Sequence, residues 1–287
     1  MTEGLPPPPD VRALLAAAGL HAKKSWGQNF LLDASALADI ARASGAGPEQ
    51  PVVELGAGLG ALTYHLVARG GRVLAVERDR ELAPILRAAL AWATRLEVRE
   101  ADAARLDYAA LAQELGGPLA VTGNLPYQLS GRILVALAGA RPVVRQAAFL
   151  VQREVAERLA SPPGCRAYGL LTVLVQRSFE VRIVRQVPPG AFLPPPKVHS
   201  AVVRLEARAA VGASDAALVA AARAAFHARR KTLKNAVAGA LAASPAAVEA
   251  AVLAAGLDPV ARAETLAVAD FGRLGDALVR AGLVHVS

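Results

Sequence analysis

Short apolar runs alternate with longer amphipathic stretches from residue 51 to residue 205. The runs have the length of buried strands, whereas the stretches between them have helical spacing. Such alternation predicts βαβ units and a mostly parallel sheet covered by helices. The predicted strands are 52–55, 73–77, 96–100, 119–122, 147–151, 179–184 and 200–205. The predicted helices, two of them before this region, are 11–19, 34–43, 61–69, 82–93, 132–138 and 153–159.

The last part of the chain has a different pattern. Residues 206–214 are small and polar, as in a linker, and the periodicity beyond them is helical. The predicted helices there are 215–227, 230–241, 245–255, 259–263 and 270–281. We therefore expect two domains, an α/β domain at 1–205 and a small all-helical domain at 206–287. The consecutive prolines within residues 1–10 predict a disordered or extended segment.

Composition narrows the class of protein. Hydrophobic residues make up 54% of the chain, which is ample for a core, and the single cysteine, Cys165, excludes an internal disulfide and a cysteine-rich zinc module. The first residues lack the basic start and apolar run of a signal peptide. The Ala-rich segment 241–257 is interrupted by Pro245 and Glu249, so it is not expected to span a bilayer. These features predict a cytoplasmic protein.

The net charge of +8 is unevenly distributed. Residues 1–131 carry 12 basic and 14 acidic side chains, residues 132–208 carry 12 and 4, and residues 209–287 carry 8 and 6. The middle region is therefore a candidate surface for a polyanion. The alternative interpretation is a composition rich in arginine with no functional meaning.

A glycine-rich turn follows the first strand of the βαβ region. Gly56, Gly58 and Gly60 open the next helix, and Glu77 ends the following strand, where it can accept both hydroxyls of a ribose. The G-x-G-x-x-G motif of NAD enzymes needs its third glycine at position 61, which is Ala. The spacing fits the G-x-G-x-G turn of S-adenosylmethionine enzymes better, although Ala is tolerated at that position of the NAD motif.

Two more strand ends carry polar side chains. Asp102 follows the third strand and could accept the amino group of an adenine ring, or could simply cap a turn. Gly123 and Asn124 follow the fourth strand. The Asn124 side-chain oxygen and the Leu125 carbonyl could each accept one N–H of an exocyclic amine, while Tyr127 stacks on its base. The alternative is a strand-to-helix turn with a capping Asn and a core Tyr.

Three further segments are candidates for ligand or phosphate contacts. Phe192, in a stiff proline-rich loop, is a second stacking face or a hydrophobic plug. The segment at 23–33 is a loop before a helix capped by Asp33, or a cover in which Gln28, Asn29 and Leu31 close over a ligand. The cations that could meet nucleic-acid phosphates are Lys23, Lys24, Arg223, Arg229, Arg230, Lys231 and Lys234.

Five stretches together resemble one known family, the bacterial small-subunit rRNA adenine dimethyltransferases (the KsgA/RsmA family). They are Lys24–Leu31, Val53–Gly60, Gly123–Tyr127, Phe192–Val198 and Phe226–Asn235. The last two are the more specific, because many adenine N6-methyltransferases share only the first three. Gln128 and His199 depart from the residues usual in the family.

The resemblance implies a Rossmann-like S-adenosylmethionine-dependent methyltransferase domain with a small all-helical C-terminal domain that binds RNA. It implies dimethylation on N6 of two adjacent adenines in the terminal hairpin of 16S rRNA. Because a sulfonium methyl group is electrophilic by itself, the reaction needs no metal, and we expect the protein to be a monomer. The cofactor-binding positions it implies are Asn29, Leu31, Gly56, Glu77, Asp102 and Asn124, and Gly58 fits the same turn. From the chemistry of the side chains we expect the catalytic residues to be Asn124, Leu125, Tyr127 and Phe192. The alternatives are a resistance-type large-subunit rRNA methyltransferase, a DNA adenine methyltransferase and a non-catalytic nucleic-acid-binding factor on the same fold.

Overall fold

The structure is a computed structural model that describes residues 4–208, 215–228 and 230–285, without the side chain of Lys24. The chain divides into two compact units. The first is Met1–Ala156 with Glu180–Ala207, and the second is Glu157–Phe179 with Arg208–Ser287. The chain passes between the units three times, and the third passage, between Ala207 and Arg208, lies close to the predicted boundary near residue 206. The segment Glu157–Phe179, which the sequence placed in the α/β domain, instead lies in the helical unit.

The first unit is built on a mostly parallel sheet. The strands are β1 Phe30–Leu31, β2 Val52–Leu55, β3 Val73–Glu77, β4 Leu96–Glu100, β5 Leu119–Asn124, β6 Val144–Gln152, β7 Phe179–Val187, β8 Phe192–Leu193 and β9 Ser200–Ala207. Seven of them form the sheet in the order β4-β3-β2-β5-β6-β9-β7, in which β2 to β6 are parallel and β9 is antiparallel to β6. The pair β1 and β8 forms a separate two-stranded antiparallel sheet.

The chain order reverses between β2 and β5, because β3 and β4 lie on one side of β2 while β5 and β6 lie on the other. In an open α/β sheet this switch point leaves a crevice at the carboxyl ends of the strands. Strands β2 and β3 are buried throughout, as expected of parallel strands covered on both faces. At Gly123 a Cβ atom would clash with the Leu55 carbonyl oxygen, so glycine permits the close approach of β5 to β2.

Most predicted helices form, with ends that differ by a few residues. Asp33 caps the second helix by accepting the Ala36 N–H at 2.9 Å, as predicted. The helices of the first unit are α1 Val11–Ala18, α2 Ala34–Ala43, α3 Ala61–Val67, α4 Leu82–Ala89, α5 Tyr108–Leu115 and α6 Ser130–Gly139. Helix α7, Arg153–Ala160, crosses from the first unit into the second. Helices α2 and α3 pack on the sheet through Leu37, Ile40, Leu62 and Leu66.

The second unit is helical. Its helices are α8 Leu170–Gln176, α9 Asp215–Ala225, α10 Leu233–Leu241, α11 Pro245–Ala254 and α12 Val268–Arg280. The apolar run 170–176, to which the sequence assigned no element, is thus a helix. The core includes Phe226 stacked on Phe271, with ring centroids 5.6 Å apart.

The predicted helix 259–263 is wrong, because residues 259–262 form a turn and irregular backbone, and only Ala263 belongs to a helix, the short 3-10 helix Ala263–Thr265. The carbonyls of Pro259 and Ala261 accept N–H groups at the start of α10, at 3.1 and 2.7 Å from Lys234 and Leu233. The backbone carbonyls of this segment therefore cap helix α10 instead of forming hydrogen bonds within a helix of their own. In the described part of the chain, no helix combines the length and the apolar character needed to cross a membrane.

Candidate active site

A cleft lies at the carboxyl ends of β2, β3, β4 and β5 in the first unit. Its lining includes the segment Trp26–Leu31, the glycine turn after β2, and residues 124–127 at the end of β5 and just beyond it. All seven residues predicted to bind the cofactor line the cleft. They are Asn29, Leu31, Gly56, Gly58, Glu77, Asp102 and Asn124.

The glycine turn after β2 has the left-handed backbone that glycine favours, with φ of 71° at Gly56, 58° at Gly58 and 87° at Gly60. A Cβ at Gly58 would press on the Phe30 ring at 3.2 Å. A Cβ at Gly60 would lie 2.5 Å from a methyl of Leu86, so this third glycine serves the packing of α3 on α4. Only the first two glycines line the cleft, and they let a ligand approach the backbone there.

Glu77, at the end of β3, is held by two backbone groups. Its Oε2 accepts the Gly58 N–H and its Oε1 accepts the Asp79 N–H, each at 2.8 Å. Burial raises the pKa of Glu77, and these two backbone donors oppose the rise. Since each carboxylate oxygen has a second lone pair, the oriented group can still accept two hydroxyls, as a ribose requires.

Asp102 performs the structural role that the sequence left open and also lines the cleft. Its Oδ1 accepts the Ala104 N–H at 2.9 Å and so caps the short turn after β4. The remaining acceptor capacity of the carboxylate is available to a ligand amine.

Asn124 lies in β5, which extends two residues further than predicted. Its Nδ2 donates to the Asn29 carbonyl at 2.7 Å. Since nitrogen and oxygen occupy opposite sides of a carboxamide, this bond turns Oδ1 away from Asn29 and presents it as an acceptor. Leu125 is buried, with 1% of its surface exposed, and lines the cleft beside Asn124.

Tyr127 is half-buried in the cleft wall. Its hydroxyl shares a 2.7 Å hydrogen bond with Ser200 Oγ, and Ser130 Oγ donates to its carbonyl at 3.0 Å. Burial raises the pKa of the Tyr127 hydroxyl. The first contact holds the hydroxyl end of the ring and the second holds the backbone of Tyr127, which suits a stacking surface.

The prediction that Phe192 stacks on a base is wrong for this structure. Its side chain is 2% exposed, packs in the core with Leu31 and Ile40, and does not line the cleft. The physical reason is the pairing of Phe192 with Leu31 in the small β1–β8 sheet. This pairing places the proline-rich loop against the segment before α2 and turns the ring inwards, in agreement with the plug interpretation.

The predicted phosphate contact of Lys23 is also corrected. Its Nζ donates to Asp79 Oδ1 at 2.8 Å and to Glu81 Oε2 at 2.5 Å, so its charge is used within the first unit. These bonds raise the pKa of Lys23. The Lys24 side chain is outside what the structure describes.

In the second unit the predicted basic cluster is only partly free. Lys234 pairs with Glu249 on α11, with its Nζ 3.0 Å from the carboxylate, which the sequence did not reveal because the two lie 15 positions apart. Arg223, Arg230 and Lys231 are exposed. Arg229 lies outside the described residues. Phe226, in the same stretch, belongs to the core.

Three functional candidates were missed by sequence reasoning. Glu54 at the end of β2 lines the cleft, is 1% exposed and accepts the Thr63 hydroxyl at 2.6 Å. Burial raises its pKa to about 8. Trp26 and Arg78 also line the cleft, with the Arg78 guanidinium 4.3 Å from the Trp26 ring. An acid inside a buried strand was the available signal for Glu54, whereas nothing local pairs Trp26 with Arg78.

Comparison with known proteins identifies the family. The profile described as "Ribosomal RNA adenine dimethylase" matches residues 19–278. The chain belongs to this family. "Ribosomal RNA small subunit methyltransferase A" of Anaeromyxobacter dehalogenans strain 2CP-C is 52% identical over 289 residues, which cover 97% of this chain and all of that protein. The protein of the same name from Myxococcus xanthus is 44% identical over 272 residues, covering 93% and 94%.

Solved structures agree with the fold. The 23S rRNA methyltransferase ErmE superposes with a TM-score of 0.67 at 28% identity and covers 87% of this chain and 99% of its own. A dimethyladenosine transferase from Plasmodium falciparum gives a TM-score of 0.73 at 23% identity and covers 88% and 98%. The family predicted from the sequence is confirmed, and with it a Rossmann-like, S-adenosylmethionine-dependent rRNA adenine methyltransferase.

Proposed function

We propose that this protein transfers methyl groups from S-adenosylmethionine to N6 of two adjacent adenines in the 3′-terminal hairpin of 16S rRNA, twice on each. The observation that carries the proposal is the arrangement at the end of β5. Asn124 is anchored through its nitrogen, and Leu125, Tyr127 and Glu77 line the same cleft. The names of the relatives, which specify the small ribosomal subunit, support the choice of RNA.

The cofactor fits the residues at the carboxyl ends of β2, β3 and β4. Gly58 faces the cleft without a side chain, and the Glu77 carboxylate is held in place to accept the ribose hydroxyls. Asp102 would accept the adenine amine of the cofactor. S-adenosylmethionine, when bound, supplies a methyl group on a sulfonium, which is electrophilic without further activation.

The residues at the end of β5 prepare the nucleophile. The N6 lone pair of adenine is delocalised into the ring, so the amine is a poor nucleophile. Asn124 Oδ1 and the Leu125 carbonyl accept its two N–H groups, draw the nitrogen towards a pyramidal geometry and localise the lone pair for attack. Tyr127 stacks on the extruded base. A new N–C bond forms as the S–C bond breaks, and the alkylated nitrogen then loses one proton to solvent.

Tritiated methyl transfer tests the proposal. Small ribosomal subunits from a strain that lacks the modification would be incubated with the protein and labelled cofactor, with large subunits as the control. We expect about four methyl groups per small subunit, as implied by two dimethylated bases, recovered as N6,N6-dimethyladenine. Label in large subunits alone would assign the protein to the resistance-type branch, and binding without label would indicate a non-catalytic factor.

Two further features belong to this proposal. We expect the protein to act as a monomer and in the cytoplasm, where small subunits are assembled. Size-exclusion chromatography with light scattering, at the concentration used for methyl transfer, checks the first expectation, and cell fractionation checks the second.

A further inference from the structure

Asp79 is a buried carboxylate that the methyl-transfer mechanism leaves unused. It follows Glu77 by two residues, its side chain is 2% exposed, and it does not line the cleft. A charged group is rarely buried so fully unless partners satisfy it. The hydrogen-bond partners of Asp79 belong to two parts of the first unit, the turn after β3 and the segment before β1.

The first set of partners lies in the turn after β3, which carries Glu77 of the predicted ribose site. The Asp79 N–H donates to Glu77 Oε1 at 2.8 Å, and Asp79 Oδ1 accepts the Glu81 N–H at 3.2 Å. Asp79 therefore joins the two ends of the turn after β3, through its N–H to Glu77 and its carboxylate to the N–H of Glu81. The conformation of this turn determines the orientation of the Glu77 carboxylate.

The second set of partners lies in the segment before β1. Asp79 Oδ1 accepts Lys23 Nζ at 2.8 Å and Asp79 Oδ2 accepts Gln28 Nε2 at 2.9 Å. Gln28 Oε1 in turn accepts the Lys23 N–H at 2.8 Å, which closes the segment into a loop. Two separate donors thus hold residues 23–28 on one buried carboxylate.

This loop leads directly to the amine-binding side. Asn29, the residue after Gln28, supplies the carbonyl that anchors Asn124 Nδ2 at 2.7 Å. Glu77 is therefore linked to Asn124 by three hydrogen bonds and one peptide bond: Asp79 to Glu77, Gln28 to Asp79, the peptide bond from Gln28 to Asn29, and Asn124 to Asn29.

We propose that Asp79 is a positioning residue that locks the Lys23–Asn29 loop onto the turn carrying Glu77, and thereby sets the orientation of Asn124 relative to the cofactor site. The inference rests on the proposed function, since it concerns how the two halves of that site are aligned. Without Asp79 the loop loses its attachment and the anchoring carbonyl of Asn29 moves with it. Both the affinity for S-adenosylmethionine and kcat are then expected to fall.

The electrostatics agree with this role. Burial acts to raise the pKa of Asp79, but the hydrogen bonds from Lys23 and Gln28 outweigh it and hold the pKa below its ordinary value. The group therefore remains an anion, which is the form that accepts both donors. An Asn at this position would have one oxygen and one NH₂ group, so it would face one of the two donors with another donor.

Trp26 reports the state of the loop directly. It lies between Lys23 and Gln28, with Lys23 Nζ 4.9 Å and the Arg78 guanidinium 4.3 Å from its ring. The other tryptophan of the chain, Trp92, is removed by Trp92→Phe. In this background Asp79→Asn is expected to raise the acrylamide quenching constant of Trp26 about two- to threefold, because the released loop is more open to solvent.

The enzymatic readouts are the dissociation constant of S-adenosylmethionine, measured by calorimetry, and kcat at saturating cofactor. Asp79→Asn is expected to raise the dissociation constant about tenfold and to lower kcat about tenfold, the loss typical of one hydrogen bond to a charged group. A merely structural role would lower the folded fraction and the melting temperature and leave the dissociation constant of the folded protein unchanged. Gln28→Ala, which keeps the ion pair with Lys23, is expected to show the same changes to a smaller extent.

Glu81→Gln is the matched control. It removes the other carboxylate that contacts Lys23, one that is 54% exposed and does not contact Gln28. It is expected to leave quenching and turnover near those of the parent protein. If Asp79→Asn and Glu81→Gln behave alike while the parent is active, the positioning role is overturned. Absence of methyl transfer by the parent protein would instead reject the proposed function, and the quenching result would still test the attachment of the loop.

Discussion

The ends of β3 and β5 hold their polar side chains in similar ways but with different charge. Glu77 is oriented by two backbone N–H groups that donate to its carboxylate, and Asn124 by one carbonyl that accepts from its amide. In each case the backbone occupies part of the group and leaves acceptor capacity for a ligand. A carboxylate can gain a proton and an amide cannot. The binding of the cofactor ribose by Glu77 at the end of β3 should therefore depend on pH, whereas the hydrogen bond from an amine to Asn124 should not.

The largest expected effect follows removal of the acceptor at β5. Asn124→Ala is expected to lower kcat by about 100-fold or more, the size of effect seen when a catalytic hydrogen-bonding group is deleted. The dissociation constant of S-adenosylmethionine should change by less than about threefold, because the bonds to Glu77 remain. Single-turnover methyl transfer and calorimetry measure the two quantities.

An exposed amide on α5 provides the control for this variant. Gln113→Ala should leave both quantities unchanged. Near-normal turnover of Asn124→Ala would show that the amine is held elsewhere.

The next effect follows removal of the acceptor at β3. Glu77→Ala is expected to raise the dissociation constant of S-adenosylmethionine about 100-fold, from roughly 1.5 kcal/mol for each of two hydrogen bonds to a charged group. Glu100→Gln, an exposed acid at the end of the neighbouring strand, is the matched control. A dissociation constant unchanged in Glu77→Ala would place the ribose away from β3.

The same comparison predicts a pH dependence. The pKa of Glu77 is raised, so the carboxylate gains a proton at a higher pH than an ordinary Glu. As pH falls, cofactor affinity should weaken, approaching about tenfold per pH unit once Glu77 is mostly protonated. Glu77→Gln should remove this dependence, and kcat at saturating cofactor should not show it. A parallel pH profile in the variant would assign the titration to another group.

A smaller effect is expected at the stacking surface. Tyr127→Ala should raise KM for the small subunit about tenfold, because base stacking on an aromatic ring contributes roughly 1–3 kcal/mol. Tyr127→Phe keeps the ring and loses only the bond to Ser200 Oγ, so its KM should rise about twofold. Equal losses in both variants would mean that the hydroxyl, and not the ring, is what matters.

The smallest effect on activity, and a measurable effect on stability, is expected at the end of β2. Glu54 has a pKa of about 8 in the folded protein, above its ordinary value of 4.5. Between these two values the unfolded chain ionises while the folded protein keeps its proton, so stability falls as pH rises, by at most roughly 1.4 kcal/mol per pH unit. Below pH 4.5 and above pH 8 Glu54 makes no further contribution to the slope.

Urea unfolding of the cofactor-free protein at pH 5 to 9, a range chosen to bracket about pH 8, measures this slope. Glu54→Gln should make the curve flatter and should be the more stable variant at pH 8, whereas Glu100→Gln should retain the parent slope. A parent curve without a decline over this range would mean that Glu54 is ionised inside the fold.

Much of the first unit was predictable because local pattern and position agree there. Strands β2, β3 and β4 have their predicted bounds, since an apolar run bounded by turn residues is a strong signal for a buried strand. The residues at their ends then meet automatically, because parallel strands bring their carboxyl ends to one edge. Gly58, Glu77, Asp102 and Asn124 reached the cleft for this reason.

The errors have a different origin. Lys23 and Lys234 looked free because their partners, Asp79 and Glu249, are distant in sequence. The choice between a stacking face and a hydrophobic plug could not be made for Phe192, because its pairing with Leu31 joins strands more than 150 residues apart. Segment Glu157–Phe179 belongs to the helical unit because of contacts with residues beyond 208. No local periodicity contains such information.

The amino-acid sequence by itself determined the βαβ order, the glycine turn, the acids at the strand ends, the Asn124–Tyr127 motif and the family. These depend on backbone preferences and spacing, which act over a few residues. Only the tertiary structure decided which charged groups are satisfied within the protein, which aromatic ring faces the cleft and how Asp79 joins the two halves of the site. The reason is physical: burial and pairing depend on what the rest of the chain places within a few ångströms of each side chain.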